Sequence, residues 1–86
     1  MDLRVSLACR KAIKLCNYML QRTNDSYVRE EKNKLERLIM ENRNERSIDR
    51  AIQVSRYIRN NFDSIRGENV ILDINNLLSQ KTDLNP

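Results

Sequence analysis

The sequence predicts an all-α protein, either a small three- or four-helix bundle or a helical hairpin that oligomerises. Three observations carry that expectation. Only one glycine and one proline occur in 86 residues, and the proline is residue 86, so no proline interrupts helical backbone. A small β-barrel needs more turns, and more residues able to take positive φ, than this chain supplies. Apolar residues recur at spacings of three and four along most of the chain, the period of a helix with one buried face. The single phenylalanine, Phe62, leaves little aromatic volume for a sandwich core.

The first helix is expected over residues 3–22. At 100° per residue, Val5, Ala8, Cys9, Ala12, Ile13, Leu15, Cys16, Met19 and Leu20 share one face. Arg4, Arg10, Lys11, Lys14, Asn17, Gln21 and Arg22 take the other, where Leu3, Leu7 and Tyr18 intrude. Thr23-Asn24-Asp25-Ser26 then offers four short polar side chains that compete for backbone hydrogen bonds and end the helix. Asn24, Asp25 or Ser26 is placed to cap the next one, although none forms a full capping box.

The second helix is expected from residue 27 to 41 or 42, with Val28, Leu35, Leu38 and Ile39 on its apolar stripe and Tyr27 at the edge. Glu30 with Lys34, and Arg37 with Glu41, are spaced for exposed ion pairs. Residues 42–47 hold no apolar side chain, and the apolar faces before and after them differ in direction by roughly 160°. One straight helix cannot bury both faces against one neighbour, so a turn or sharp break is expected, with Asn42 or Ser47 marking the next start.

The third helix is expected over residues 46–66. Ile48, Ala51, Ile52, Ser55, Ile58, Phe62 and Ile65 form its stripe, Val54 sits at one edge, and Gly67 is placed to terminate it as a left-handed cap. Val70, Ile71, Ile74, Leu77 and Leu78 share one side of a fourth helix over residues 69–80. Residues 1–80 thus read as one helical domain and 81–86 as a frayed tail. Tyr27-Val28-Arg29 recurs as Tyr57-Ile58-Arg59, but the match decays at once and does not make a repeat.

The formal net charge of +4 is unevenly spread, the excess lying mainly on residues 1–24. Arg4, Arg10, Lys11 and Lys14 also interrupt the apolar run that a secretion signal requires, and no stretch approaches 18 apolar residues. With two cysteines and no such signal, a reducing, cytoplasmic setting is the expectation.

Cys9 and Cys16 lie two helical turns apart, about 10.5 Å along the axis. A disulfide needs Cα atoms within roughly 7 Å, so an intrahelical bond is excluded. The sequence contains no histidine to help complete a zinc site or serve as a general base near neutral pH. Both thiols fall on the apolar face and read as small packing residues, or as partners of a second copy if equivalent helices meet in a dimer. Glu30, Glu31, Glu36, Glu41, Glu45 and Asp49 alternate with Lys and Arg as on a solvated helix surface. One glycine cannot build a phosphate-binding loop. No catalytic, metal or cofactor site is expected.

Binding is the function left. The leading expectation is a non-catalytic adaptor, regulator or inhibitor whose partner is another protein, and also a second copy of itself as a homodimer. Leu3, Leu7, Tyr18, Tyr57 and Leu72 are its candidate contacts, the tyrosines because a ring buries apolar area while its hydroxyl meets a polar rim. The alternative is nucleic-acid binding through Arg4, Arg10, Lys11, Lys14, Arg56 and Arg59. Membrane association is disfavoured, because the apolar face of the first helix is rich in small residues and lacks Trp and Phe.

Overall fold

Small side chains set the geometry of the fold. A computed structural model describes residues 3–42 and 44–79 and shows four helices: α1 Leu3–Leu20, α2 Ser26–Met40, α3 Asn44–Asn61 and α4 Ser64–Ser79. Consecutive helices touch, and α1 also touches both α3 and α4, whereas α2 and α4 make no contact among the described residues. The four axes therefore form a flattened rhombus with α1 and α3 on its short diagonal. Its extents of 45 × 28 × 16 Å agree with that shape.

On α1 the fully buried positions are Ala8, Cys9, Ala12 and Cys16, and on α3 they include Ser47, Ala51 and Ser55. Interaxial distance follows side-chain size, so small residues on both helices favour a close meeting across the middle, while Cys16 also lies near Glu31 and Lys32 of α2. The Cys9 thiol reaches the Ser47 hydroxyl within hydrogen-bond range, and the buried Ser55 hydroxyl donates to the Ala51 carbonyl at 2.7 Å. Val28 and Leu35 of α2, Val54 and Ile58 of α3 and Ile74 of α4 fill the flanks.

Local chemistry fixes the joints. Asp25 caps α2: its carboxylate accepts from the Val28 N–H at 2.9 Å, the bond expected of an N-cap. The same carboxylate accepts from the Tyr57 hydroxyl of α3 at 2.7 Å. Tyr57 packs on Tyr27, with ring centroids 4.5 Å apart, and on Phe62 at 5.7 Å. The tyrosines that head the recurring triplets thus meet. The Val28 N–H, followed by Tyr57, holds the Asp25 carboxyl below its ordinary range, and the same bond pushes the Tyr57 hydroxyl up.

The break between the second and third helices is present but shorter than the polar run suggests. Glu41 ends α2 and Asn42 takes the left-handed conformation, φ 61°, its N–H donating to the Ile39 carbonyl at 3.1 Å. Asn42 is therefore a terminator of α2 rather than the cap of α3, and Ser47 lies buried inside α3 rather than at its start. Asn tolerates positive φ because its short side chain can bond locally.

The largest departure concerns the expected helix over residues 46–66. It is cut at Phe62 and Asp63, where Asp63 caps α4 by accepting from the Arg66 N–H at 3.0 Å. The fourth helix therefore starts at Ser64, not residue 69. Phe62 and Ile65, assigned to the buried stripe, are 40% and 73% exposed, and Val54, placed at its edge, is fully buried. Gly67 is not a left-handed cap. It lies buried inside α4, without positive φ, and a Cβ there would sit 2.6 Å from the Arg59 backbone. Its missing side chain lets α4 lie directly on α3.

Glu31 is the second correction. Read as solvated surface, it is only 4% exposed; Arg50 donates to both its oxygens at 3.1 and 3.2 Å, and Lys34 lies at 3.6 Å. Lys34 thus pairs with Glu31 rather than with Glu30. A carboxylate this deep needs such partners, since burying an unpaired charge is costly. The expected tail, 81–86, lies outside the described residues.

Two outcomes follow for stability. In an ordinary helix Gly→Ala stabilises by about 1 kcal/mol. Gly67→Ala is expected instead to destabilise by about 1–3 kcal/mol, as overpacking does, lowering the thermal midpoint by several degrees in circular dichroism. A higher midpoint would refute the α3/α4 approach. Asp25 has a depressed carboxyl pKa in the fold, so its stabilising contribution is present above the ordinary value near ~3.9 and fades as pH falls through the lower, folded value. In urea titrations across that range Asp25→Asn, which retains capping ability, should show a shallower acid loss of stability than the parent.

Candidate protein-binding surface

The outward side of α1 carries a mixed stripe. Leu3, Leu7, Lys14 and Tyr18 fall within an arc of about 60° at 100° per residue. Leu3 and Leu7 are 72% and 42% exposed. Helix α4 runs antiparallel alongside: Lys11 pairs with Asp73 at 3.5 Å and, further along α1, Tyr18 meets Arg66. Between the two helices lies a groove of about 220 Å³ lined by Lys14, Leu15, Tyr18, Arg66, Asn69 and Val70.

Tyr18 organises that groove. The guanidinium carbons of Arg22 and Arg66 lie 3.8 and 4.0 Å from its ring centroid, so a single ring holds two cations by its π-system. Arg22 also donates to the Tyr18 carbonyl at 3.4 Å, and the Arg66 Nε pairs with Asp63 at 3.3 Å. Among the described residues Lys14 has no carboxylate partner. Leu72, 49% exposed, sits on the outer face of α4 one turn beyond Asn69.

The structure therefore gathers Leu3, Leu7 and Tyr18 on one side of the molecule, with Leu72 on the adjoining helix. It does not bring Tyr57 there: that side chain is held by Asp25, Tyr27 and Phe62 at the meeting of the α1–α2 and α3–α4 connections. Nor does it unite the six basic candidates. Arg4, Arg10, Lys11 and Lys14 belong to α1, whereas Arg59 is tied to Glu68 at 3.0 Å on a different edge of α4 from Asp73. Those two carboxylates are five residues, about 140°, apart around the helix. Arg56 is exposed on α3.

Arg22 and Arg66 were not among the residues the sequence singled out. Arg66 was assigned to the end of the third helix, and only the Asp63 cap, foreshadowed by the polar run Asn60-Asn61 and Asp63-Ser64, transfers it to α4 beside Tyr18. A second basic groove, about 300 Å³ between α2 and α3, is lined by Lys34, Arg37, Leu38, Glu41, Arg46 and Arg50. Its charge is partly answered by the buried Glu31.

The thiols offer no reactive centre on this surface. Burial raises the Cys9 pKa, and burial followed by the Glu31 carboxylate pushes Cys16 up to about 12. Both are fully buried, so the idea that equivalent helices pair them across a dimer fails unless the bundle opens. Among the described residues no three of Cys, Asp and Glu cluster as metal ligands, and no helix is long and apolar enough to cross a membrane. Both thiols should resist a disulfide-exchange reagent at neutral pH in the native protein and react rapidly in denaturant; fast labelling of either in the folded state would contradict this packing.

Comparisons with protein-family models, with curated proteins and with solved structures find no match to this chain.

Proposed function

We propose that this chain is a non-catalytic protein-interaction module, a small adaptor, regulator or inhibitor that engages its partner through the α1/α4 side. The observation that carries this reading is the continuity on one side of α1 between exposed leucines, Leu3 and Leu7, and the basic, aromatic groove around Tyr18. Apolar contact supplies affinity in such a surface, and charge supplies orientation and partner choice.

A partner other than a second copy fits best. Two α1 surfaces meeting face to face would oppose Arg10, Lys11 and Lys14 of each chain, a like-charge arrangement that costs affinity. Nucleic acid is the alternative, supported by the exposed Arg10 and Lys14, but it leaves Leu3 and Leu7 without a role.

Affinity capture from the source cells, with and without nuclease, tests the reading when wild-type protein is compared with a Leu3→Glu/Leu7→Glu variant. Both positions are exposed, so the helical spectrum should persist. A specific protein should be retained after nuclease and weakened at least tenfold by the variant. Retention unaffected by the substitutions, or lost on nuclease treatment, would refute it. Sedimentation over a concentration series under reducing conditions checks the homodimer, which should not form through this face.

A further inference from the structure

Three cations gather at Tyr18, and of these only Arg66 has a carboxylate partner among the described residues. Lys14 and Arg66 line the groove with Tyr18, and Arg22 stacks on the same ring, while the carboxylate at the rim, Asp63, engages Arg66 and Asp73 engages Lys11. A guanidinium stacked on a ring uses its face, leaving in-plane N–H groups at its edge for a carboxylate or phosphate. Two guanidiniums stacked on one ring take its opposite faces, and each keeps an edge open to an incoming anion.

We propose that Lys14, Tyr18, Arg22 and Arg66 form a carboxylate clamp, and that it takes paired Asp or Glu side chains from an amphipathic helix of the partner. The same helix lays its apolar residues on Leu3 and Leu7. This assignment rests on the α1/α4 side being the protein-binding surface and specifies what that surface selects. From Leu7 to Tyr18 is eleven residues, about 16 Å along α1. The partner segment therefore carries its apolar and acidic groups about three helical turns apart.

The size of the groove and its setting support that choice. About 220 Å³ is below the ~300–1,000 Å³ of most small-molecule pockets and suits one or two inserted side chains. A nucleic-acid backbone presents a continuous run of phosphates, which Asp63 and Asp73 at either end of the cluster would repel. A discrete carboxylate pair meets the cations between them. The α2/α3 groove is less suited to this task, because Glu31 already occupies Arg50 and Lys34 from within.

The test is a nuclear magnetic resonance titration of the ¹⁵N-labelled full chain with a synthetic helical peptide. The peptide bears two leucines at one end and two glutamates eleven residues on; a Glu→Gln version and a short DNA duplex serve as comparisons. Expected are shifts in the amides of Lys14, Tyr18, Arg22, Arg66 and Asn69 and affinity that falls with salt. Affinity should drop at least tenfold for the Glu→Gln peptide and for Arg66→Gln. Tyr18→Phe keeps the stacking ring and should bind within twofold of wild type, whereas Tyr18→Leu should lose at least fivefold. Lys14→Gln, at an exposed position, should weaken binding without touching the fold. Equal binding of the two peptides, wild-type affinity in Tyr18→Leu or Lys14→Gln, or no binding at millimolar peptide would overturn the clamp. So would tighter binding of the duplex at the same amides. Loss of capture in Leu3→Glu/Leu7→Glu alongside any of these peptide results would leave the protein-binding surface standing and remove only the clamp.

Discussion

The close approach of α1 and α3 is the constraint on which the rest of the molecule depends. Ala8, Cys9, Ala12 and Cys16 on one helix, and Ser47, Ala51 and Ser55 on the other, are all fully buried. With larger residues at these positions the diagonal would lengthen, and α1 could no longer touch α2, α3 and α4 together. Gly67 extends the same device to the α3/α4 seam. A chain of this size has a small core and modest stability, so it gains from bringing backbones close and from placing Leu35, Ile58 and Ile74 at the flanks.

Polar groups then select one arrangement. Glu31 sits beneath Arg50 and Lys34, and Asp25 is shared between the start of α2 and Tyr57 of α3. Buried ion pairs are weak contributors to net stability, because desolvation offsets much of their attraction. Removing one partner is costly, however, and that asymmetry disfavours any packing in which α2 slides along α3. The two ties lie at separate levels of that interface and fix its register.

Flattening the bundle has a functional consequence. A rhombus leaves α1 with one side free while its other side is committed to three helices. On that free side the chain places Leu3, Leu7, Lys14 and Tyr18, and α4 supplies Arg66 and Asn69. The buried thiols and the internally answered charge of the α2/α3 groove stand apart from it. Association through the α1/α4 side is the activity we propose from this distribution.

Helix content, the α1 face and the start of α2 were legible because they follow from short-range rules, three-four spacing and a polar cluster that supplies an Asp cap, whereas Asn42, expected to open the third helix, instead closes α2 at positive φ. Residues 46–66 misled for the same reason. Phe62 and Ile65 continue the period of α3 by spacing alone, while Asp63 takes the chain into a new helix. The exposed leucines and Tyr18 could be named from the sequence, and Arg22 lies one turn from Tyr18, but the association with Arg66 of α4 could not be read. By itself the sequence determined that the chain is helical and which side of α1 is apolar, since both depend on neighbours within a turn or two. Only the tertiary structure decided that Gly67 serves packing rather than capping, that Glu31 is buried, and that Arg66 stacks on the Tyr18 ring. Each depends on a residue from another segment, and no local period encodes what lies across a helix interface.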